Sequence, residues 1–135
     1  MPEGIKFGVY IPEGLANDLE ECMRELGIRN KSKLIQEALR SFIADNKWKF
    51  KGKAVGAIGV IYDHEVGEVD AELTDIQHNY LDIIVAALHL HLSERKCALY
   101  ILVNGDSSKV RELTKEIMKV KGVELVKPLL LSTTR

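Results

Sequence analysis

The sequence predicts an α+β protein made of two unlike pieces, and three observations carry that expectation. A single alternating stretch is followed by two stretches of helical periodicity. The pattern changes near residue 54, and beyond it the signals succeed one another as β-α-β-β-α-β. With 135 residues, 46% hydrophobic and 29% charged, the chain has the composition of a globular protein and the length of one domain or two very small ones. No apolar run approaches a membrane span, and the opening MPEGIKFGVYIPEG has neither the basic nor the apolar region of a signal peptide. A cytoplasmic protein without a membrane partner is expected, its two cysteines reduced. The formal charge of −1 is unevenly spread, with 10 Lys/Arg against 8 Asp/Glu through Lys53 and 9 against 12 after it.

The first piece, residues 1–46, opens on IKFGVYI. Ile5, Phe7, Val9 and Ile11 face one way and Lys6, Gly8 and Tyr10 the other, as in a short strand with one buried face. Pro12 ends it, and a helix is predicted from Pro12 or Glu13. Leu15, Leu19, Cys22, Met23 and Leu26 fall at helical spacing, which makes Cys22 a core residue, and Gly27 supplies the stop. Asn30 is the predicted N-cap of a second helix with the stripe Leu34, Ile35, Ala38, Leu39, Phe42 and Ile43. One strand and two helices bury little alone, and the simplest partner for the strand is its own copy in a second chain. That is the logic of the ribbon-helix-helix DNA-binding module, an obligate dimer. The basic, aromatic segment that follows reads as a linker over residues 47–53.

In the second piece, residues 54–135, VGAIGVIYD is a strand and Glu68 to Ala87 a helix. LHLHL and CALYILVNG form a hairpin. SSKVRELTKEIMKVKG is a helix with Ser107 as N-cap and Gly122 as C′, and VELVKPLLL is a last strand in which Pro128 favours a sheet edge or the strand's end. This is the ferredoxin-like order, a four-stranded antiparallel sheet with two helices on one face.

The hairpin carries the chemistry. His89 and His91 project from one face of their strand, with Leu88, Leu90 and Leu92 on the other. If His91 pairs with Cys97 across a five-residue loop, Leu92 to Lys96, the thiol joins the imidazoles; a four-residue loop would send it to the opposite face. Taken alone, the HxH pair fits a solvated strand face as well as a metal site, and the same-face cysteine raises the weight of metal. On a helix reaching Ala87, His78 lies about 200° from Ile76 and shares its face with Ala71, Thr74, Leu81 and Val85. That half-apolar face suggests contact with another subunit, so His78 is a candidate ligand to a metal held mainly by a different chain. Imidazoles and a thiolate suit zinc, nickel or copper, and spacing alone does not choose among them.

The order strand-helix-helix, linker, then QHNYLDIIVAALHLHLSERKC resembles the nickel-responsive repressors of bacteria and archaea. The family pattern of His, ten residues, HxH, five residues and Cys is reproduced by His78, His89, His91 and Cys97. The resemblance covers essentially the whole chain. It implies an ACT-like second domain that builds a homotetramer, a dimer of dimers. It also implies one Ni(II) per subunit, held by His89, His91 and Cys97 of one chain and His78 of another. Gln77, Tyr62 and His64 match accessory positions around that site. The family's paired strands read base edges of double-stranded DNA in the major groove, here with Lys6, Gly8 and Tyr10, while Lys31 and Ser32 at the start of the second helix take a phosphate. Gly8 and Tyr10 depart from the family's small hydroxyl residues, Lys33 stands where an acid is frequent, and a frequent His near the last strand is missing, since GVELV follows Lys121. The implied function is repression of nickel-uptake genes, with metal binding ordering the domain that positions the heads. Two rival readings stand beside it: a regulator sensing a small organic molecule, and a metalloenzyme, which needs an open metal position and a nearby base that four protein ligands do not leave.

Overall fold

The computed structural model describes residues 3–133 and divides into two compact units, Met1–Leu39 and Arg40–Arg135. In the first unit, α1 (Glu13–Leu26) follows Pro12 and ends at Gly27, whose φ of 70° places it in the left-handed region that stops helices. The released chain folds back, with the Ile28 N–H donating to the Met23 carbonyl at 2.8 Å. α2 (Lys31–Lys47) begins after Asn30, whose side-chain oxygen accepts from the Lys33 N–H at 3.1 Å, as an N-cap should.

The expected strand at Ile5–Ile11 is not formed in the single chain. A strand needs a neighbour for its backbone groups, and among the described residues this one has none. Its apolar side chains are correspondingly bare, Ile5 at 80% exposure. Met23 is the one buried residue of α1, and α2 buries none. Cys22, expected in a core, is exposed. The stripe to which it belongs meets too little apolar surface within one chain to be covered.

The second unit contains β1 (Lys53–Asp63), α3 (Val69–His78), β2 (Ile84–His91), β3 (Lys96–Asp106), α4 (Ser107–Met118) and β4 (Val123–Ser132). The strands form one antiparallel sheet in the order β2-β3-β1-β4, so Pro128 lies on an edge strand as expected. Ile58, Val60 and Tyr62 of β1 and Cys97, Leu99 and Ile101 of β3 line one face. Val69 and Leu73 of α3 and Val110, Leu113 and Ile117 of α4 complete the core with them. Trp48, in the segment read as linker, is 2% exposed and belongs to that core. Gly56 permits the β1–β4 pairing, because a Cβ there would lie 2.1 Å from the Leu129 carbonyl oxygen.

Three boundaries differ from expectation. The helix predicted over 68–87 ends at His78. Asn79 and Tyr80 turn back onto the last carbonyls of α3, and the strand begins at Ile84. Ile83 is buried as its position in the stripe suggested, but from a turn. Periodicity does not separate a short apolar run such as IIVAAL into helix or strand, and here the β-branched residues go to the sheet. The cap of α4 is Asp106, which accepts from the Ser108 N–H at 2.8 Å, while Ser107 is buried as the first helical residue. Gly122 is not the C′ residue; Lys119 caps α4, and Gly122 makes the later turn into β4 at φ 104°.

The other face of the sheet carries no helix. Leu88, Leu90, Tyr100, Leu125, Leu129 and Leu131 are all exposed there. The HxH pair therefore sits the opposite way from a simple amphipathic strand: its histidines lie on the helix-covered side and its leucines on the bare one. Leu113→Ala, which empties a fully buried position of α4, should destabilise this unit by about 2–5 kcal/mol. Thermal unfolding followed by circular dichroism would measure it.

Candidate metal centre

The geometry of the site follows from one register. β2 and β3 pair with His91 opposite Cys97 and His89 opposite Leu99. Leu92 to Lys96 form the five-residue loop that a shared face requires, closed by the Leu92 N–H to the Lys96 carbonyl at 2.9 Å and by the Lys96 N–H to Ser93 Oγ at 3.1 Å. The ring centroids of His89 and His91 are 4.8 Å apart, and Cys97 Sγ lies 3.7 Å from His91 Nδ1. One ligand atom from each of the three residues lies within 4.8 Å of the others. Donors bound at about 2.0–2.3 Å to one ion sit on the order of 3–4.5 Å apart, so the spread fits a single cation. Two imidazoles and a thiolate suit a borderline-soft divalent metal, and three donors leave one position of a four-coordinate ion open.

His78 does not join this group within the chain. It is the last residue of α3 and exposed. Gln77 beside it donates to the Leu73 carbonyl at 3.2 Å. Lys6, Gly8 and Tyr10 lie in the exposed stretch that forms no strand here, and Lys31 and Ser32 open α2 with exposed side chains. Asn30 takes up the Lys33 backbone amide.

Tyr62 backs the site. It faces Cys97 across the β1–β3 pairing, and its ring stacks on His89 at 6.2 Å with a 16° interplanar angle. Its hydroxyl lies 2.9 Å from Asp70 Oδ1 and 3.1 Å from His89 Nε2. Burial, then the Asp70 carboxylate, pushes the phenol pKa above its usual range, so Tyr62 stays protonated.

The hairpin tip is clamped. Arg95 pairs with Asp63 at 2.9 Å and with Glu65 at 3.2 Å, and Lys96 pairs with Glu124. His64 Nε2 donates to the Glu94 carbonyl, and the His64 N–H to the Arg95 carbonyl at 2.9 Å. The end of β1 thereby holds the loop that sets the ligand register. Sequence reading missed Asp70 and Arg95. Both act across long loops or between elements, and nothing in the local sequence marks either.

Residues 55–131 match the family described as the NikR C terminal nickel binding domain. The chain is 41% identical over 129 residues to a nickel-responsive regulator of Methanocaldococcus jannaschii, covering 94% of this chain and 92% of that one. A second such regulator from Methanothermobacter thermautotrophicus is 40% identical over 125 residues, covering 91% and 89%. One from Pyrococcus horikoshii is 34% identical over 132 residues, covering 97% and 96%.

The clamp predicts a pH dependence. The Glu65 backbone N–H, at 3.0 Å, and the Arg95 guanidinium hold the Asp63 carboxyl below the usual carboxylate range, against the opposing effect of burial. A depressed carboxylate stabilises the fold above its unfolded pKa of about 3.9, and that contribution fades as pH falls through the lower folded value. For metal-free protein, the melting-temperature gap between wild type and Asp63→Asn should be widest near neutrality and close below about pH 4. A gap unchanged down to about pH 3 would mean that charge is not what holds the clamp.

Proposed function

The chain belongs to the nickel-responsive regulators, a family of transcription factors and not of enzymes, and we propose that it couples nickel binding at the β2–β3 hairpin to DNA binding by its N-terminal piece. The observation that carries this reading is the His91–Cys97 register, which gathers His89, His91 and Cys97 and leaves one donor to be found elsewhere.

In the proposal these three residues of one subunit and His78 of another hold one Ni(II) per subunit. These residues would hold a divalent ion that accepts imidazole and thiolate donors, and one chain alone brings three of the four. His78 ends α3, so its engagement fixes the end of that helix and the turn after it. Tyr62 and His64 hold the near side, and Gln77 steadies the His78 turn. The assembly is a homotetramer, a dimer of dimers, in which ACT-like domains (54–135) meet through the helix-free sheet face. The exposed leucines of that face support this, since such a surface is costly to leave in water.

The head, residues 1–46, is a ribbon-helix-helix dimer in the cytoplasm, joined on by residues 47–53. Its Ile5–Ile11 strands pair between subunits and turn Lys6, Gly8 and Tyr10 to the major groove, while Lys31 and Ser32 take a phosphate at the start of α2. The bare apolar side of that stretch and of α2 supports the pairing. Ordering α3 favours the arrangement in which both heads reach their half-sites, and nickel-uptake genes are silenced. Metal shifts that equilibrium only by its differential affinity for the competent state, so operator DNA must tighten nickel binding by the same factor.

A nickel-dependent gel shift on DNA upstream of the protein's own gene and neighbouring transport genes tests the reading, and His89→Ala should abolish the nickel dependence. Calorimetry with and without operator should return unequal nickel affinities; equal ones would sink the linkage. Leu129→Glu, on the open sheet face, should shift sedimentation from tetramer towards dimer.

A further inference from the structure

Asp70, in the first turn of α3, is exposed and belongs to no ligand pattern, yet its carboxylate lies 2.9 Å from the hydroxyl of the buried Tyr62. A carboxylate only accepts, so Tyr62 donates its proton to Asp70. What the phenol then offers His89, 3.1 Å away, is a lone pair. The facing imidazole nitrogen, Nε2, must carry the hydrogen, which leaves the lone pair of a neutral ring on Nδ1. The near-parallel stacking of the two rings limits rotation of the imidazole away from this arrangement.

We propose that Asp70 is a positioning residue of the metal site: acting through the Tyr62 hydroxyl, it fixes His89 in the Nε2–H tautomer, so that Nδ1 is the nitrogen available to the metal. This rests on the reading of His89 as a ligand. A histidine ligand whose other nitrogen is held by a hydrogen bond gains both orientation and basicity. Asp70 differs from a general helix stabiliser because its effect depends on which way the phenolic proton points. Without the carboxylate, that proton is free to turn towards Nε2 and favour the opposite tautomer.

The test uses full-length, metal-free protein labelled with nitrogen-15 in its histidines, with tautomers read from long-range nitrogen–proton couplings and nickel affinity measured in parallel. Wild type should hold His89 as Nε2–H. Asp70→Ala should move it towards Nδ1–H and weaken nickel binding about 10–100-fold, whereas Asp70→Asn, whose amide oxygen still accepts, should keep the tautomer and most of the affinity. Nδ1–H in wild type, or Ala and Asn variants that behave alike, would overturn the proposal. His89→Ala separates the two levels. If it leaves nickel affinity unchanged, the ligand assignment has failed; if it abolishes binding while Asp70→Ala does nothing, the role of Asp70 alone has failed.

Discussion

Antiparallel pairing of β2 with β3 determines which side chains share a face, in steps of two residues, and the chemistry of this protein depends on that pairing. With His91 opposite Cys97, two imidazoles and a thiolate point to one side. A slip of one residue would send the cysteine to the bare face and dissolve the cluster. The hairpin loop does not hold this register unaided. Asp63, at the end of β1, binds Arg95, and His64 binds the Glu94 and Arg95 carbonyls, so the third strand of the row secures the tip of the other two.

The direction of that face matters as much as its composition. Cys97 and Leu99 lie under the helices, and Tyr62 is buried beside them, so the donors sit where the core meets the sheet edge. Their neighbours are therefore fixed by packing: the phenol stacks on one imidazole, and α3 reaches the phenol through Asp70. The same helix ends in His78, so one short element carries both the backing of the cluster and that exposed histidine. Had the helix run on to Ala87, it would have consumed the first half of β2, Ile84 to Ala87, and left only Leu88 to His91 to pair with β3.

Both units leave apolar surface uncovered for the same reason. A sheet with helices on one side, or an unpaired stretch followed by two helices, has faces that its own chain cannot reach. Leu129 at 71% exposure and Phe7 at 73% mark the two places. These faces account for the strand that does not form and for the exposure of Cys22. The alternating residues of IKFGVYI are suited to a strand, but among the described residues no neighbouring strand takes up its backbone groups.

The sequence by itself determined the elements that local periodicity, caps and breakers control: α1 between Pro12 and Gly27, α2 from the Asn30 cap, the hairpin, and an edge or end position for Pro128, while it made the shared face of His91 and Cys97 conditional on a five-residue loop. It named three residues that converge, because a period of two and one loop length suffice to align them. Tertiary structure alone decided where α3 stops, since an apolar run such as IIVAAL satisfies helix and strand alike until a sheet edge accepts its β-branched residues. It also decided that Trp48 joins the core, that the histidines rather than the leucines face the helices, and that Asp70 and Arg95 support the site. Those outcomes depend on which surfaces meet across the fold, and that information is absent from any stretch of sequence short enough to show a period.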